Sequence, residues 1–373
     1  KIRFIYTIKI MSKARVIAFY LPQFYPTQEN DIWWGKGFTE WTNVGRAQPL
    51  FRGHYQPKVP ADLGYYDLRI PEVRVQQAEM AKEAGIEGFC YWHYWFAGRR
   101  LLDRVFKEVV ESGKPNFPFC LCWANHSWYQ KTWDPNKPNK LLIEQTYPGV
   151  QDYEDHFYAM LPAFKDSRYL KVNGKLLFGF FAPLDIPDIE VFKNTWNRLA
   201  NKNGLEGFVF FGYNPRPHPN RIKQILNAFD FITVDHYGTA ITSRNNFLLR
   251  LQKWFQNHIF HYPYIGLYED YVNYVLMHTS SERRILPCLL PNYDHSPRSG
   301  RKALLLHQST PKLWGKLLDG VFKQRSNKSE EENIIFIKSW NEWGEGNYLE
   351  PDLKFGKSYL EELKRALELC YEL

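Results

Sequence analysis

The chain has little of what would place it in several large protein classes. Its 373 residues include only five cysteines, an odd number whose spacing fits neither a zinc finger nor a disulfide scaffold. Four of the five lie in apolar segments, which is typical of buried free thiols in a reducing compartment. The sequence therefore predicts neither disulfides nor a cysteine-based metal site.

Long hydrophobic runs are also missing. No apolar run reaches the roughly 18 residues that a membrane-spanning helix needs. The basic start of the chain is a poor signal peptide, because Lys9 interrupts its apolar run and no small-residue cleavage site follows. Met11 is a candidate natural start, so we expect a cytoplasmic protein with a poorly ordered extension (1–12) and one catalytic domain (13–373).

Signals for nucleic acids, nucleotides and metals are absent as well. The formal charge of +8 is spread along the chain without a basic stripe, which disfavours nucleic acid but leaves room for peripheral contact with the anionic inner membrane face. No glycine-rich phosphate loop follows a predicted strand, and no compact metal-ligand pattern is present. The sequence thus predicts no cofactor and no metal, although His93, His126, Asp235 and His236 could be considered as ligands.

What the chain has in excess is aromatic residues. Trp, Tyr and Phe make up 17% of it, with 13 Trp and 24 Tyr. Aromatic rings can fill a core, and they can also stack on the apolar faces of sugar rings. An excess of this size favours an aromatic-lined cleft.

Eight short apolar or β-branched runs alternate with helical or loop segments. The runs are 16–20, 88–92, 118–123, 176–181, 208–212, 231–235, 285–290 and 334–339. The helices are predicted at 71–84, 101–112, 152–164, 189–203, 301–324 and 358–369. This alternation predicts a (β/α)8 TIM barrel with long βα-loop insertions at 27–63, 127–148 and 237–276, and a surface loop at 324–332.

Six of the eight runs end in aromatic and hydrogen-bonding residues. In a barrel these ends meet at one rim, which favours a pocket for a polyol or glycan over coincidental turn chemistry. The candidate substrate-binding residues are Tyr20, Trp41, His93, Trp95, Trp123, Asn125, His126, Asp235, His236, Tyr237, Tyr293, Trp340 and Asn341.

Two acids, Glu342 and Glu345, follow the eighth run among tryptophans and glycines. Cleavage or transfer of a glycosidic bond commonly uses two carboxyl groups, one as proton donor. Acids three residues apart project to the same side, so they fit a scheme in which one serves the leaving group and the other a neighbouring hydroxyl. The alternative is a helix start capped by Asn341, which would explain Glu345 but not Trp340 and Trp343.

Several motifs together resemble the WbsX-type family, assigned to glycosyl transfer in lipopolysaccharide O-antigen assembly, and more distantly glycoside hydrolase family 99, the endo-acting α-mannosidases. They lie at 18–24, 33–41, 88–96, 123–125, 340–346 and 350–351. The resemblance implies that Glu342 is the base on the sugar 2-hydroxyl and that Glu345 is the acid/base at the leaving group, with a 1,2-anhydro intermediate and net retention.

The same resemblance implies that Tyr20, Trp123, Tyr237 and Tyr293 line sugar subsites. The early Trp/Gly segment differs from the mannanases, so mannose specificity is not implied. Hydrolysis and transfer both remain open. The alternatives to an enzyme with an oligosaccharide or polysaccharide substrate are a non-catalytic glycan-binding barrel and a structural partner in a polysaccharide-assembly complex.

Overall fold

The computed structural model describes residues 14–130, 139–215, 217–242, 255, 262–326 and 329–372. The predicted extension, residues 1–12, and Met11 within it lie outside this range. So do parts of the predicted loops at 127–148, 237–276 and 324–332. The boundary between extension and domain stays a prediction.

Eight parallel strands form a closed barrel, which confirms the predicted (β/α)8 fold. They are β1 Arg15–Tyr20, β2 Gly88–His93, β3 Phe119–Trp123, β4 Lys175–Phe180, β5 Phe208–Asn214, β6 Phe231–Val234, β7 Ile285–Leu289 and β8 Ile334–Ile337. Consecutive strands pair, and β8 returns to pair with β1, so no barrel strand is left as an edge. Each strand boundary lies within two residues of the predicted one.

One barrel helix follows each strand. These helices are α1 Pro71–Glu83, α2 Arg104–Ser112, α3 Val150–Phe164, α4 Ile189–Lys202, α5 Pro219–Ala228, α6 Tyr268–His278, α7 Pro311–Arg325 and α8 Ser358–Glu372. Proline begins α1, α5 and α7, where its fixed φ suits the first turn and its missing N–H costs no hydrogen bond. Short helices in the βα loops cover Gln28–Trp34, Glu40–Gly45, Tyr237–Thr242 and Ser296–Ser299.

The chain before α7 differs from the prediction of one helix at 301–324. Leu304–His307 is instead a strand that pairs with Tyr264–Leu267 and Tyr293–Asp294. The helix begins only at Pro311, after the Thr310 hydroxyl caps it by accepting from the Leu313 N–H at 3.3 Å. The predicted insertion at 237–276 was also too long, because it includes most of α6.

Small strands complete the described loops. They are Trp95–Phe96 with Arg99–Arg100, Trp128–Gln130 with Lys140–Ile143, Lys171–Val172 against the start of β4, and Asn341–Glu342 with Asn347–Tyr348. Within the described part of the chain, no helix is long and apolar enough to cross a membrane.

Side chains along each barrel strand alternate between the interior and the helix layer. Phe19 of β1 faces inward, where its ring stacks 4.6 Å from Trp92 and 5.2 Å from Phe336. The next residue, Tyr20, faces outward and donates a hydrogen bond of 2.7 Å to Gln77 of α1. This alternation decides which rim residues can reach the barrel mouth.

The described cysteines are buried free thiols, as the sequence predicts. They are Cys90, Cys120, Cys122 and Cys288. They occupy strands β2, β3 and β7, and burial raises the pKa of each. They therefore behave as small apolar side chains of the barrel wall.

Candidate active site

The acid pair lies on a tight hairpin at the carboxyl end of β8. Asn341–Glu342 pairs with Asn347–Tyr348, and Trp343–Glu345 forms the connecting 3-10 turn. Gly346 closes the turn with a φ of 53°, and a Cβ there would lie 2.8 Å from the Lys58 Nζ. Glycine is required at this point both by conformation and by space.

Hydrogen bonds from two side chains, Asn341 and Ser339, to backbone groups hold the hairpin on the barrel. The Asn341 amide accepts from the Leu21 N–H at 2.7 Å and donates to the Leu21 carbonyl at 3.1 Å. The Ser339 hydroxyl accepts from the Glu342 N–H at 3.1 Å and donates to the Asn347 carbonyl at 2.7 Å. These bonds join the last strand to the first and fix the position of Glu342.

A third acid, Glu350, supports the hairpin from behind. Its carboxylate accepts hydrogen bonds from Trp343 at 2.6 Å, Tyr66 at 2.9 Å and Gln77 at 2.6 Å. The indole of Trp343 also stacks on Tyr348, with ring centroids 3.7 Å apart. Trp343 therefore anchors the turn.

Glu342 is buried at the inner wall of the barrel mouth. Its Oε1 accepts from the Trp92 indole N–H at 2.7 Å, while the Lys338 Nζ lies 4.0 Å from its Oε2. Within the described chain, that Oε2 has no hydrogen-bond partner. Burial, reinforced by the charge of Glu345, raises the pKa of Glu342 to about 8, despite Lys338 and Arg298. Glu342 therefore carries a proton at neutral pH.

Glu345 lies in the opposite electrostatic environment. The Arg298 Nη1 donates to its Oε1 at 2.6 Å, and the Lys338 Nζ lies 3.3 Å from its Oε2. Burial alone would raise the pKa of Glu345, but the two cations together hold it well below its ordinary range. The pair thus holds one proton at neutral pH, and the unliganded site places it on Glu342.

Lys338 and a buried phenol–carboxyl pair complete the inner wall. The Lys338 ammonium lies 5.7 Å and 5.8 Å from the ring centroids of Tyr213 and Tyr237. Tyr213 donates a short hydrogen bond to Asp235 Oδ2, and burial raises the pKa of Asp235 to about 7. The ring of Tyr293 lies 4.4 Å from that of Tyr237, so the wall offers both aromatic faces and polar edges.

Several predicted site residues come together here. Asp235, Tyr237 and Tyr293 join Glu342 and Glu345 around Lys338, as the distances above show. His126 lies at the edge of the group, because its ring contacts Phe181 at 4.7 Å, which stacks on Tyr213 at 5.3 Å. Trp41 packs behind the acid turn, 5.6 Å from Trp343.

The other predicted residues lie in the surrounding layers. Those on β1, β2 and β3 face outward, because their neighbours in sequence face inward. Three of them form hydrogen bonds away from the acids: Tyr20 to Gln77, Asn125 to the Ala182 backbone and Asn341 to Leu21. Two contact His156, since His93 lies 2.7 Å from its Nε2 and Trp95 stacks on its ring at 4.6 Å. The remaining three pack on aromatic rings: Trp123 on Phe192, His236 on Tyr274 and Trp340 on Phe89.

The structure adds residues that the sequence reasoning left out. Trp92, Tyr213 and Lys338 face the acids, and counting in steps of two from an inward residue such as Phe336 would have found Lys338. Arg298 and Glu40 carried no such signal, because they come from two loops. The Arg298 Nε donates to Glu40 Oε2 at 3.0 Å, which links the early Trp/Gly segment to the acid pair.

Metal ligation was also considered. Among the residues with described positions, no three His, Cys, Asp or Glu side chains are grouped to hold a metal ion. His93 and His236, considered as ligands, point toward His156 and Tyr274 in different parts of the helix layer.

A (β/α)8 barrel with paired acids and aromatic walls at the carboxyl ends of its strands has the architecture of carbohydrate-active enzymes. The sequence profile described as "Glycosyltransferase WbsX" matches residues 16–363, and the chain belongs to this family. It is 34% identical over 359 residues to the uncharacterized protein WxcX of Xanthomonas campestris pv. campestris (strain B100), covering 95% of this chain. The chain spans about half of the length of that relative, since the match covers 50% of it.

Solved structures support the fold. A protein described as glycoside hydrolase-like superposes with a TM-score of 0.61 at 14% identity, covering 96% of this chain and 95% of its own. The GH99 endo-alpha-mannosidase from Bacteroides thetaiotaomicron superposes with a TM-score of 0.55 at 15% identity, covering 96% and 98%. At this identity the likeness concerns the fold of the chain.

Proposed function

We propose that the protein cleaves or transfers a glycosidic bond in surface-polysaccharide metabolism, and that Glu342 and Glu345 are its catalytic residues. The observation that carries this proposal is a largely buried acid pair with opposite pKa shifts, beside Trp92, Tyr213 and Tyr237 at the carboxyl ends of the barrel strands. Free buried cysteines favour a cytoplasmic site of action, and the chain's family supports a role in O-antigen metabolism.

The two acids share one side of the reacting sugar. In the first step, one acid protonates the leaving oxygen while the other removes the proton of the 2-hydroxyl. The freed oxygen attacks the anomeric carbon, the glycosidic bond breaks, and a 1,2-anhydro sugar results. In the second step, water or an acceptor hydroxyl opens that ring with the proton movements reversed, so the anomeric configuration is retained.

The resting protonation of the pair is the reverse of the one that the roles of Glu342 as base and Glu345 as acid require, because the raised pKa belongs to Glu342 and the lowered pKa to Glu345. A carboxylate with a raised pKa is the stronger base, and a carboxylic acid with a lowered pKa is the stronger proton donor. We propose that the reactive form carries the proton on Glu345, although the resting form carries it on Glu342. The two carboxyl groups interact directly, since the charge of Glu345 is one cause of the raised pKa of Glu342.

Leaving-group dependence tests these roles. On a glycan with an ordinary leaving group, Glu342→Gln and Glu345→Gln should each lower kcat/KM by about a hundredfold to ten-thousandfold. On a substrate with an aryl leaving group that needs no proton, Glu345→Gln should recover most of the activity and Glu342→Gln should not. Glu361→Gln, on the exposed face of α8, is the matched control.

Two results would count against this scheme. If Glu342→Gln alone recovered activity on the aryl substrate, Glu342 would be the acid and Glu345 the base. Full activity of both variants on a confirmed glycan would overturn the proposal. Isotopically labelled water then separates the two outcomes of the second step, because label enters the sugar product only on hydrolysis.

A further inference from the structure

A cavity lies beside the acid pair, on the far side of Arg298. Its volume is about 500 Å³, within the range of about 300–1,000 Å³ that is usual for small-molecule sites. The wall is formed by Arg46, Ala47, Gln48 and Leu50, which follow the helix Glu40–Gly45, and by the segment from Ser296 to Lys302. Both parts belong to loops at the carboxyl ends of barrel strands, where substrates of such barrels bind.

The cavity is strongly basic. Its described lining includes Arg46, Arg298, Arg301 and Lys302, and none of its described lining residues is acidic. Like charges brought together repel one another, so an anionic ligand is favoured beside such a cluster. The alternative to a binding site is a solvated basic surface that binds no ligand. Equal affinity for neutral and anionic probes would indicate such a surface.

The four basic groups are not equivalent. Arg298 already binds two carboxylates, Glu40 at 3.0 Å and Glu345 at 2.6 Å, so its charge is compensated within the protein. Arg46 donates to the neutral amide of Asn43 at 2.6 Å, and that contact leaves its charge uncompensated. Arg46 and Lys302 are both exposed and both line the cavity.

Arg298 also sets the position of the cavity relative to the reaction. One edge of its guanidinium binds the Oε1 of Glu345 and the group itself lines the cavity, so the cavity is separated from the acid by a single side chain. A glycan whose scissile bond lies at Glu345 would extend a neighbouring sugar unit or substituent toward this wall.

We propose that the cavity binds an anionic group of the glycan, a sugar carboxylate or a phosphate, next to the bond at which Glu345 acts. The assignment rests on the proposed function for the location of that bond. It narrows the substrate class to acidic glycans, for which Arg46 and Lys302 are binding residues without a role in the chemistry.

Calorimetry with the Glu342→Gln protein tests binding without turnover. The probes are oligosaccharides with one backbone that end in glucose, glucuronate or glucose 6-phosphate. An anionic probe should bind at least about tenfold more tightly than the neutral one, the factor of one charge-assisted hydrogen bond. Added Arg46→Gln or Lys302→Gln should remove most of that preference, whereas Lys171→Gln, at the opposite end of the barrel, should not.

The two anionic probes distinguish a carboxylate site from a phosphate site. Equal binding of all three probes, no binding of either anionic probe, or a preference that survives both substitutions would overturn the inference. Loss of turnover in the acid variants without any charge preference would leave the proposed function standing. Charge-dependent binding without turnover of any glycan would instead count against the proposed function.

Discussion

Two buried acids, Glu342 in the hairpin and Glu350 behind it, lie in different surroundings. Burial raises the pKa of both, to about 7 and to about 8. Glu350 is saturated by hydrogen bonds from three neutral donors, while Glu342 has one such donor and an oxygen without a partner in the described chain. A saturated acid holds structure together, and an incompletely bonded acid beside cations is available to a substrate.

Among the variants that distinguish Glu342 from Glu350, a substitution of Lys338 should have the largest effect on activity. Lys338→Met removes a cation that lowers the pKa of both Glu345 and Glu342, so both pKa values should rise. The alkaline limb of the kcat/KM profile should move to higher pH, and kcat/KM at neutral pH should fall by about tenfold or more, since the pair loses a cation that positions it.

Full pH profiles of the wild type, Lys338→Met and the exposed-site control Lys364→Met check this. For the wild type, kcat/KM should decline as the pH rises through about 8, where the pair loses its proton. An unchanged limb in Lys338→Met would mean that Lys338 serves packing alone and would weaken the contrast between the two acids.

The next effect concerns stability. Glu350→Gln replaces one acceptor oxygen with a donor, so at least one of Trp343, Tyr66 and Gln77 loses its partner. The free energy of unfolding should fall by about 1–3 kcal/mol. Glu342→Gln should change it by less than about 1 kcal/mol, because its Oε2 has no described partner to lose. Urea unfolding of both variants measures the difference, and the reverse order would break the comparison.

The smallest effect is the pH dependence of stability. A folded-state pKa raised from the ordinary 4.5 to about 7 means that Glu350 stabilises the fold fully below about 4.5 and that this stability is lost as the pH rises through about 7. Its share of the slope is up to about 1.4 kcal/mol per pH unit. Urea unfolding between about pH 4.5 and 7 should show a shallower decline for Glu350→Gln than for the wild type, and parallel declines would contradict it.

The sequence predicts the barrel well because each strand is a local apolar run with a clear end. It predicts the acid pair for a similar reason, since Glu342 and Glu345 lie on one short segment. It does not resolve the rim, where Trp92 and His93 are adjacent and only one of them can face inward. A one-residue error in phase selects the wrong side chain at every strand end.

Other parts of the site depend on contacts that no local pattern encodes. Arg298 lies 47 residues before Glu345 in the sequence and reaches it only because two loops meet at the rim. The same holds for Glu350, whose partners Tyr66 and Gln77 come from the first βα segment. The tryptophan that donates a hydrogen bond to Glu342 is likewise distant in sequence, because Trp92 lies 250 residues away.

The bond between Asn341 and Leu21 joins positions 320 residues apart. During synthesis, Leu21 leaves the ribosome long before Asn341 has been translated. The first strand must therefore remain without this partner until the last hairpin arrives, and the two acids gain their fixed position at the same moment. Closing the barrel and fixing the position of Glu342 thus both depend on a contact between the two ends of the chain, which is a costly long-range contact to form.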